Sequence, residues 1–487
     1  MTSTHHRVIV AGTGFAGIGM AVRLKQSGYH DFVVLERAEE VGGTWRDNTY
    51  PGCRCDVPSH LYSFSFAPNP EWSSTFSPQP EIEAYLQKVT DDFGVRPHIR
   101  FGHALEAAHW DEDKRIWRVV TSQGELTADV LVSGMGGLAE PSYPKMPGIE
   151  TFEGAVFHSA EWDHSQDLSG RKVAVIGTGA SAIQFVPAIQ PEVEELHLFQ
   201  RTPPWVMPRP DRQISKVEKA IFRRFPLAQK AVRGGIYWSR EALVLGFTKA
   251  PALMKQGQRI AEKHLERQIR DPELRAKLTP DFTLGCKRVL ISDDYYPALA
   301  QPNVEVVTDA IREVTPSGVI TEGGTKHEVD TIIYGTGFRV TDLPVMDMLH
   351  GRGGQTLRER WTAGMEAYLG TTISGFPNFF LLVGPNTGLG HSSMVYMIES
   401  QVAYVLDAIK TMDRNRLAEV DVKPEVQSQF VDQVRSSMKN TVWTRGGCVS
   451  WYLDSQGRNT TLWPSFTFRF RALTKRFEPA DYQTLPM

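Results

Sequence analysis

Cysteine is scarce in this chain: there are four in 487 residues, Cys53, Cys55, Cys286 and Cys448. Four cannot serve as the disulfide framework of so long a chain, and they form neither a Cys-x-x-Cys pair nor a zinc-ligand spacing. All four read as reduced thiols; Cys53 and Cys55, two residues apart, share one side of an extended segment. Long apolar runs are also missing, and none approaches the ~18 residues of a membrane span. Neither sign of charge dominates. Against 53 Lys and Arg stand 56 Asp and Glu, so nothing calls for nucleic acid or an anionic membrane as partner. The opening residues, Met1 to Arg7, do not read as a signal peptide, and their two histidines are not a metal site. The expectation is a cytoplasmic protein without a metal centre.

What the chain does have is length and two matching glycine loops. Its 487 residues exceed one ordinary domain and suggest two or three, and a hydrophobic content of 41% suits sizeable cores. Val8 to Ala11 reads as a buried strand. Gly12-x-Gly14-x-x-Gly17 follows, then a helix-compatible run through Leu24, then a strand from Phe32 to Leu35 that ends at Glu36. This is the strand–loop–helix–strand context of a dinucleotide-binding loop. Gly12 permits the tight turn, Gly14 lets the backbone approach a pyrophosphate at the helix N-terminus, and Gly17 lets helix and strand pack closely.

Lys172 to Ile176 begins a second such unit, with Gly177-x-Gly179-x-x-Ala182, a helix, and a strand from Leu196 to Phe199 before Gln200-Arg201-Thr202. Gly12 to Glu36 and Gly177 to Arg201 each span 24 residues. The same structural position is thus acidic in the first unit and basic in the second. An acid there suits a free ribose diol, whereas an arginine suits a 2′-phosphate by charge and bidentate geometry. The first unit is expected to hold FAD and the second NADPH.

The fold class expected is α/β, with two Rossmann-like dinucleotide-binding domains of the two-dinucleotide-binding flavoprotein type and a helical insertion. Residues 1–147 form the first part of the FAD domain, and 148–210 the first part of the NADPH domain. Residues 211–283, rich in Lys, Arg, Ala and Leu, form the helical insertion, its basic residues a solvated face. Residues 284–372 return to the NADPH domain and 373–487 to the FAD domain.

Between the two glycine loops lies a connector with unusual content, Phe152-x-Gly154-x-x-x-His158-x-x-x-Trp162-Asp163. Linkers are normally small, polar and featureless. A second spaced pattern combines Gly42, Gly43, Trp45, Tyr50, Pro51, Gly52 and Asp56. Both resemble the fingerprints of the type I Baeyer–Villiger monooxygenases, F-x-G-x-x-x-H-x-x-x-W followed by Pro or Asp, and [A/G]-G-x-W-x-x-x-x-[F/Y]-P-[G/M]-x-x-x-D. Gly335-Thr336-Gly337-Phe338 resembles the Ala-Thr-Gly-aromatic crossing of flavoprotein monooxygenases, with Gly335 in place of Ala. The resemblance covers nearly the whole chain and looks closest to the phenylacetone and 4-hydroxyacetophenone branches.

That resemblance implies an NADPH- and O2-dependent enzyme that converts ketones to esters or lactones through a C4a-peroxyflavin, and sulfoxidation besides. It implies a catalytic pair, Arg288 in Gly-x-Lys-Arg with Asp56 holding it. FAD contacts fall on Gly12, Gly14, Gly17, Glu36, Gly43, Thr44, Trp45, Tyr50, Asp56 and Asn386. NADP contacts fall on Gly177, Gly179, Ala180, Ser181, Arg201, Thr202, Lys287 and Trp451. His158 is carried over as a hinge residue, with Phe152, Gly154, Trp162 and Asp163 around it. An arginine suits the catalytic role because it does not give up its proton. Partners are a small ketone or sulfide and molecular oxygen, the chain being a monomer or homodimer. Two alternatives stay open: an N- or S-oxygenating flavin monooxygenase working through a hydroperoxyflavin, and an NADPH-dependent flavin reductase or cofactor-binding sensor. Trp45, following Gly-Gly-Thr where disulfide reductases carry a redox cysteine, argues against dithiol chemistry.

Overall fold

The computed structural model describes residues 4–454 and 456–487; of the opening segment read above as no signal peptide, Met1 to Ser3 lie outside them. Strand Thr4–Ala11 is central to the first sheet. It pairs in parallel with Phe32–Leu35 on one side and Gly124–Ser133 on the other. Val8, Ile9 and Val10 are fully buried, as a parallel strand covered on both faces requires. Beyond Gly124–Ser133 the chain folds back through antiparallel Ile116–Thr121 and Leu105–Asp111. The end of Gly124–Ser133 also takes Phe379–Leu381 in parallel, so the chain returns to the first sheet at that strand. Helix Met394–Asn415, capped by Ser393, packs there against helix Phe15–Gln26.

The second sheet has five parallel strands in the order Val304–Val307, Glu195–Phe199, Lys172–Ile176, Thr331–Tyr334, Ala155–His158. The last of these lies inside the stretch expected to be a connector. Its strand character depends on Gly154, where a Cβ would lie 2.1 Å from the Asp330 carbonyl oxygen. Trp162 packs on Phe157 and Phe185, and Asp163 accepts hydrogen bonds from Ser165 and Gln166. Most of this fingerprint therefore builds the edge of the second unit.

The two units share one close approach, solved in two ways. In the first, a Cβ on Gly17 would sit 1.8 Å from the Gly12 carbonyl oxygen, and Gly134 backs onto Gly17 N. In the second, Ala182 replaces the third glycine, and a Cβ on Gly335 would lie 3.2 Å from the Ala182 Cβ. Glycine at 335 makes room for alanine at 182.

The insertion is helical, with Lys216–Arg224, Pro226–Ala242, Met254–Gln268 and Pro272–Lys277. Ser215 and Glu218 form a capping box that starts the first of these. Leu265, Ile269 and Leu278 pack into the core of the second unit, whereas helix Pro226–Ala242 docks on the first. Arg233 donates to the His60 carbonyl, Gln229 to the Asn69 carbonyl, and Thr467 donates to the buried Glu241 carboxylate. Among the described residues no helix is long and apolar enough to cross a membrane.

Candidate active site

Each glycine loop forms a cradle at the carboxyl ends of its strands. Gly12 N–H donates to Leu35 O at 2.8 Å and Gly177 N–H to Phe199 O at 3.1 Å, so each loop is tied to the strand that ends in Glu36 or leads to Arg201. Both Gly12 and Gly177 have positive φ. The Gly42–Gly43 turn presses on the first loop, so closely that a Cβ on Gly43 would lie 3.0 Å from Gly14 Cα. Glu36 is buried there; it accepts from Thr13 N and Ala38 N and pairs with Arg46 at 2.9 Å. Thr44 opens the short helix Thr44–Asp47. Trp45 donates to the Tyr62 hydroxyl at 3.0 Å.

In the second unit Gly179, Ala180 and Ser181 precede helix Ala182–Ile189, with no side chain capping its N-terminus. Ile183 N–H donates to Gly179 O and Gln184 N–H to Ser181 O, so an anion would be met by the loop ahead of the helix. Arg201 is exposed, and Thr202 O accepts from Thr178. Lys287 approaches Arg201. Burial first, then the Arg201 charge, pull the Lys287 ammonium below the usual lysine range. Among the described residues neither cation has a carboxylate within ion-pair distance. Two like charges close together, with Asp281 near Lys287 but outside ion-pair distance, suit an anion.

The second fingerprint docks one unit on the other. Tyr50 is buried in the core of the second unit and donates to Gln184 at 3.2 Å. Gln184 exchanges hydrogen bonds with both the N–H and the carbonyl of Arg54. A Cβ on Gly52 would lie 2.7 Å from Gln184 O. This contact delivers Asp56 to Arg288, 232 residues away in sequence. The pair is bidentate, Nε to Oδ2 and Nη2 to Oδ1, each 2.7 Å. Asp56 raises the Arg288 pKa above even the usual arginine range. Beside it lie Arg240, from the insertion, and the buried Tyr452 hydroxyl, which has no hydrogen-bond partner of normal geometry. Sequence reading missed Gln184, Arg240 and Tyr452, none of which stands in a spaced pattern. Trp451, the residue singled out, is 45% exposed while its neighbour Tyr452 turns inward. Asn386 spends its side chain on the carbonyls of Asn459 and Leu462, bracing the 384–390 loop from behind.

Two of the four cysteines are not thiols: Cys286 and Cys448 form a disulfide, with Cα atoms 6.1 Å apart. The reduced-thiol reading is corrected for this pair. Its partners are 162 residues apart and meet because Thr283 N–H donates to Gly446 O, an approach no spacing announces. The bond ties the Lys287–Arg288 loop to the segment that carries Trp451 and Tyr452. Cys53 and Cys55 are free and buried, and burial raises both thiols, Cys53 to about 11. Neutral thiols of this kind are poor nucleophiles.

His158 is fully buried where two crossings between the units run side by side. Its Nδ1 accepts from Ala160 N at 3.0 Å, and its ring meets Tyr143 and Phe338. Ser142 N–H donates to Gly337 O, tying the crossings together. Burial lowers the His158 pKa, keeping the ring neutral. Replacing His158 with alanine is expected to slow turnover about tenfold, a gating effect, while the cavity left by its buried ring lowers the melting temperature without preventing folding. Steady-state rates beside thermal unfolding check this, and wild-type kinetics would remove the hinge role.

Residues 9–231 match the family model described as pyridine nucleotide-disulphide oxidoreductase. A Baeyer–Villiger monooxygenase of Pseudomonas aeruginosa is 54% identical over 480 residues, which is 98% of this chain and 91% of that protein. The chain belongs to the Baeyer–Villiger monooxygenases. The closed crystal structure of cyclohexanone monooxygenase superposes on this Baeyer–Villiger monooxygenase with a TM-score of 0.89, at 28% identity and over 100% of both chains. The complex of OTEMO with FAD and NADP gives 0.89 at 28% identity, covering 99% of each. This Baeyer–Villiger monooxygenase is accordingly a flavoprotein of the type I group that uses FAD and NADPH, and its two Rossmann-like units are those of the family. The residues fit both cofactors: the Gly12–Gly14–Gly43 cradle with Glu36 suits FAD, and the Gly177–Gly179 loop with unpaired Arg201 and Lys287 suits NADPH. No dithiol centre follows Gly43, where Thr44 and Trp45 stand.

Proposed function

We propose that this enzyme inserts one atom of O2 beside the carbonyl of a small ketone, with Arg288 as the charge-stabilising catalytic residue and Asp56 positioning it. Sulfides are second substrates. The observation that carries this reading is the bidentate pair itself, formed across the two units. When bound, FAD and NADPH supply the reducing equivalents and the activation of oxygen. The protein's part is electrostatic. Asp56 takes Nε and Nη2 of Arg288 and leaves Nη1 for an anionic oxygen. An anion beside a guanidinium of raised pKa stays deprotonated and nucleophilic, which suits attack on a carbonyl. The same group then faces the oxyanion of the tetrahedral adduct, where a fixed donor is most effective. Arg240 adds positive potential to the pocket, and the buried Tyr452 hydroxyl a donor. The need for NADPH supports a cytoplasmic location.

The test is rapid mixing of NADPH-reduced enzyme with oxygen, following flavin absorbance with and without a ketone panel. The expected result is an oxygen-dependent transient that decays faster with a ketone and yields its ester. A transient that answers only to sulfides or amines would reassign the enzyme to heteroatom oxygenation. Immediate return to oxidised flavin with stoichiometric peroxide would remove the oxygenase reading.

A further inference from the structure

Three side chains far apart in sequence converge on the outer edge of the second sheet. Strands Glu195–Phe199 and Val304–Val307 pair with His197 opposite Glu305, and neighbours in register point to the same face. His327 reaches the same spot from strand Lys326–Glu328 of a three-stranded antiparallel ribbon. His197 Nδ1 lies 2.9 Å and His327 Nδ1 3.2 Å from the same oxygen, Glu305 Oε2. The three possible ligand atoms all fall within 4.8 Å of one another. Phe199 packs edge-on against His327 and helps to hold its ring.

We propose that His197, Glu305 and His327 bind a divalent transition ion of zinc type, which clips the ribbon to the edge of the NADPH-binding sheet. Two imidazoles and a carboxylate are a donor set suited to zinc and similar ions, with a fourth position for water. The surroundings of His197 add an independent argument. Its Nε2 is buried without a normal hydrogen bond, yet lies 3.4 Å from Glu195 Oε2. A neutral imidazole carries one proton and cannot donate to carboxylates at both nitrogens. With an ion at Nδ1 the proton sits on Nε2 and faces Glu195, the outer carboxylate commonly found behind a metal-bound histidine. Lys172 holds that outer carboxylate through its other oxygen at 3.0 Å. The site lies in no local motif, its members being at 197, 305 and 327, and plays no part in the proposed oxygenation.

The test uses the full-length flavoprotein, stripped with a chelator and titrated with Co2+ as an optical stand-in for zinc. One equivalent with the intense visible bands of a low-coordinate site is expected. Those bands should vanish in His327→Ala and Glu305→Gln, and Glu195→Gln should weaken binding about tenfold or more. A control with both His5→Ala and His6→Ala should keep them. Unchanged NADPH oxidation in every variant establishes that each folds. Absence of the bands in the wild-type protein, or their survival in His327→Ala, would overturn the site.

Discussion

Replacing Arg288 with alanine is expected to leave the flavin bound and reducible by NADPH but to lower ester formation by about a thousandfold, oxygen being returned as peroxide. The size follows from what is lost. One fixed donor aimed at a developing oxyanion is worth roughly 10²–10³ in rate, and Arg288 adds a full charge that its environment does not allow to titrate. Arg288→Lys keeps the charge but not the fork that grips Asp56 through two nitrogens, so recovery is expected to be partial. Asp56→Ala frees the guanidinium without removing it and should cost less than Arg288→Ala. The readout is ester formed per NADPH consumed, which a purely structural ion pair would not move. If Arg288→Ala lowers stability yet preserves that ratio, the pair is a bolt between the units and nothing more. Because Arg288 is held above the arginine range, no alkaline limb of the oxygenation step should be assignable to it.

The second large effect concerns the choice of nicotinamide cofactor. Arg201→Ala should raise KM for NADPH about 10- to 100-fold, or roughly 1.4 to 2.8 kcal/mol, with little change for NADH. Only NADPH carries the 2′-phosphate that Arg201 would meet. Lys287 gives the prediction a pH signature. Its pKa is depressed by burial and then by the Arg201 charge, so its own charge is lost as pH rises through that depressed value. KM for NADPH should therefore climb on the alkaline side earlier than an ordinary lysine would dictate. In Arg201→Ala one source of repulsion is gone, and the climb should move to higher pH. A preference ratio unchanged by Arg201→Ala would place the phosphate elsewhere. A KM profile flat with pH in the wild-type enzyme would remove Lys287 from the phosphate site.

The parts of this enzyme legible in sequence are those written within some 25 consecutive residues. Gly12, Gly14 and Gly17, followed by Glu36, declare a cradle because the tight turn, the close helix–strand approach and the acid at the strand end are all local backbone demands. The second loop declares the other cofactor through the single exchange of Glu36 for Arg201 at the same offset. The pairing of Asp56 with Arg288 was reachable only through family resemblance, since nothing in either neighbourhood points across 232 residues. Tertiary structure alone decided the rest. It turned the supposed connector at Ala155–His158 into an edge strand, because Gly154 lets the backbone reach Asp330. It joined Cys286 to Cys448, brought Tyr452 and Arg240 beside Arg288, and gathered His197, Glu305 and His327 at one sheet edge. Spacing encodes which way a chain turns over a few residues. Which distant side chains meet depends on how separate units pack, and the packing of Tyr50 and Gly52 on the Gln184 helix is what brings Asp56 to Arg288.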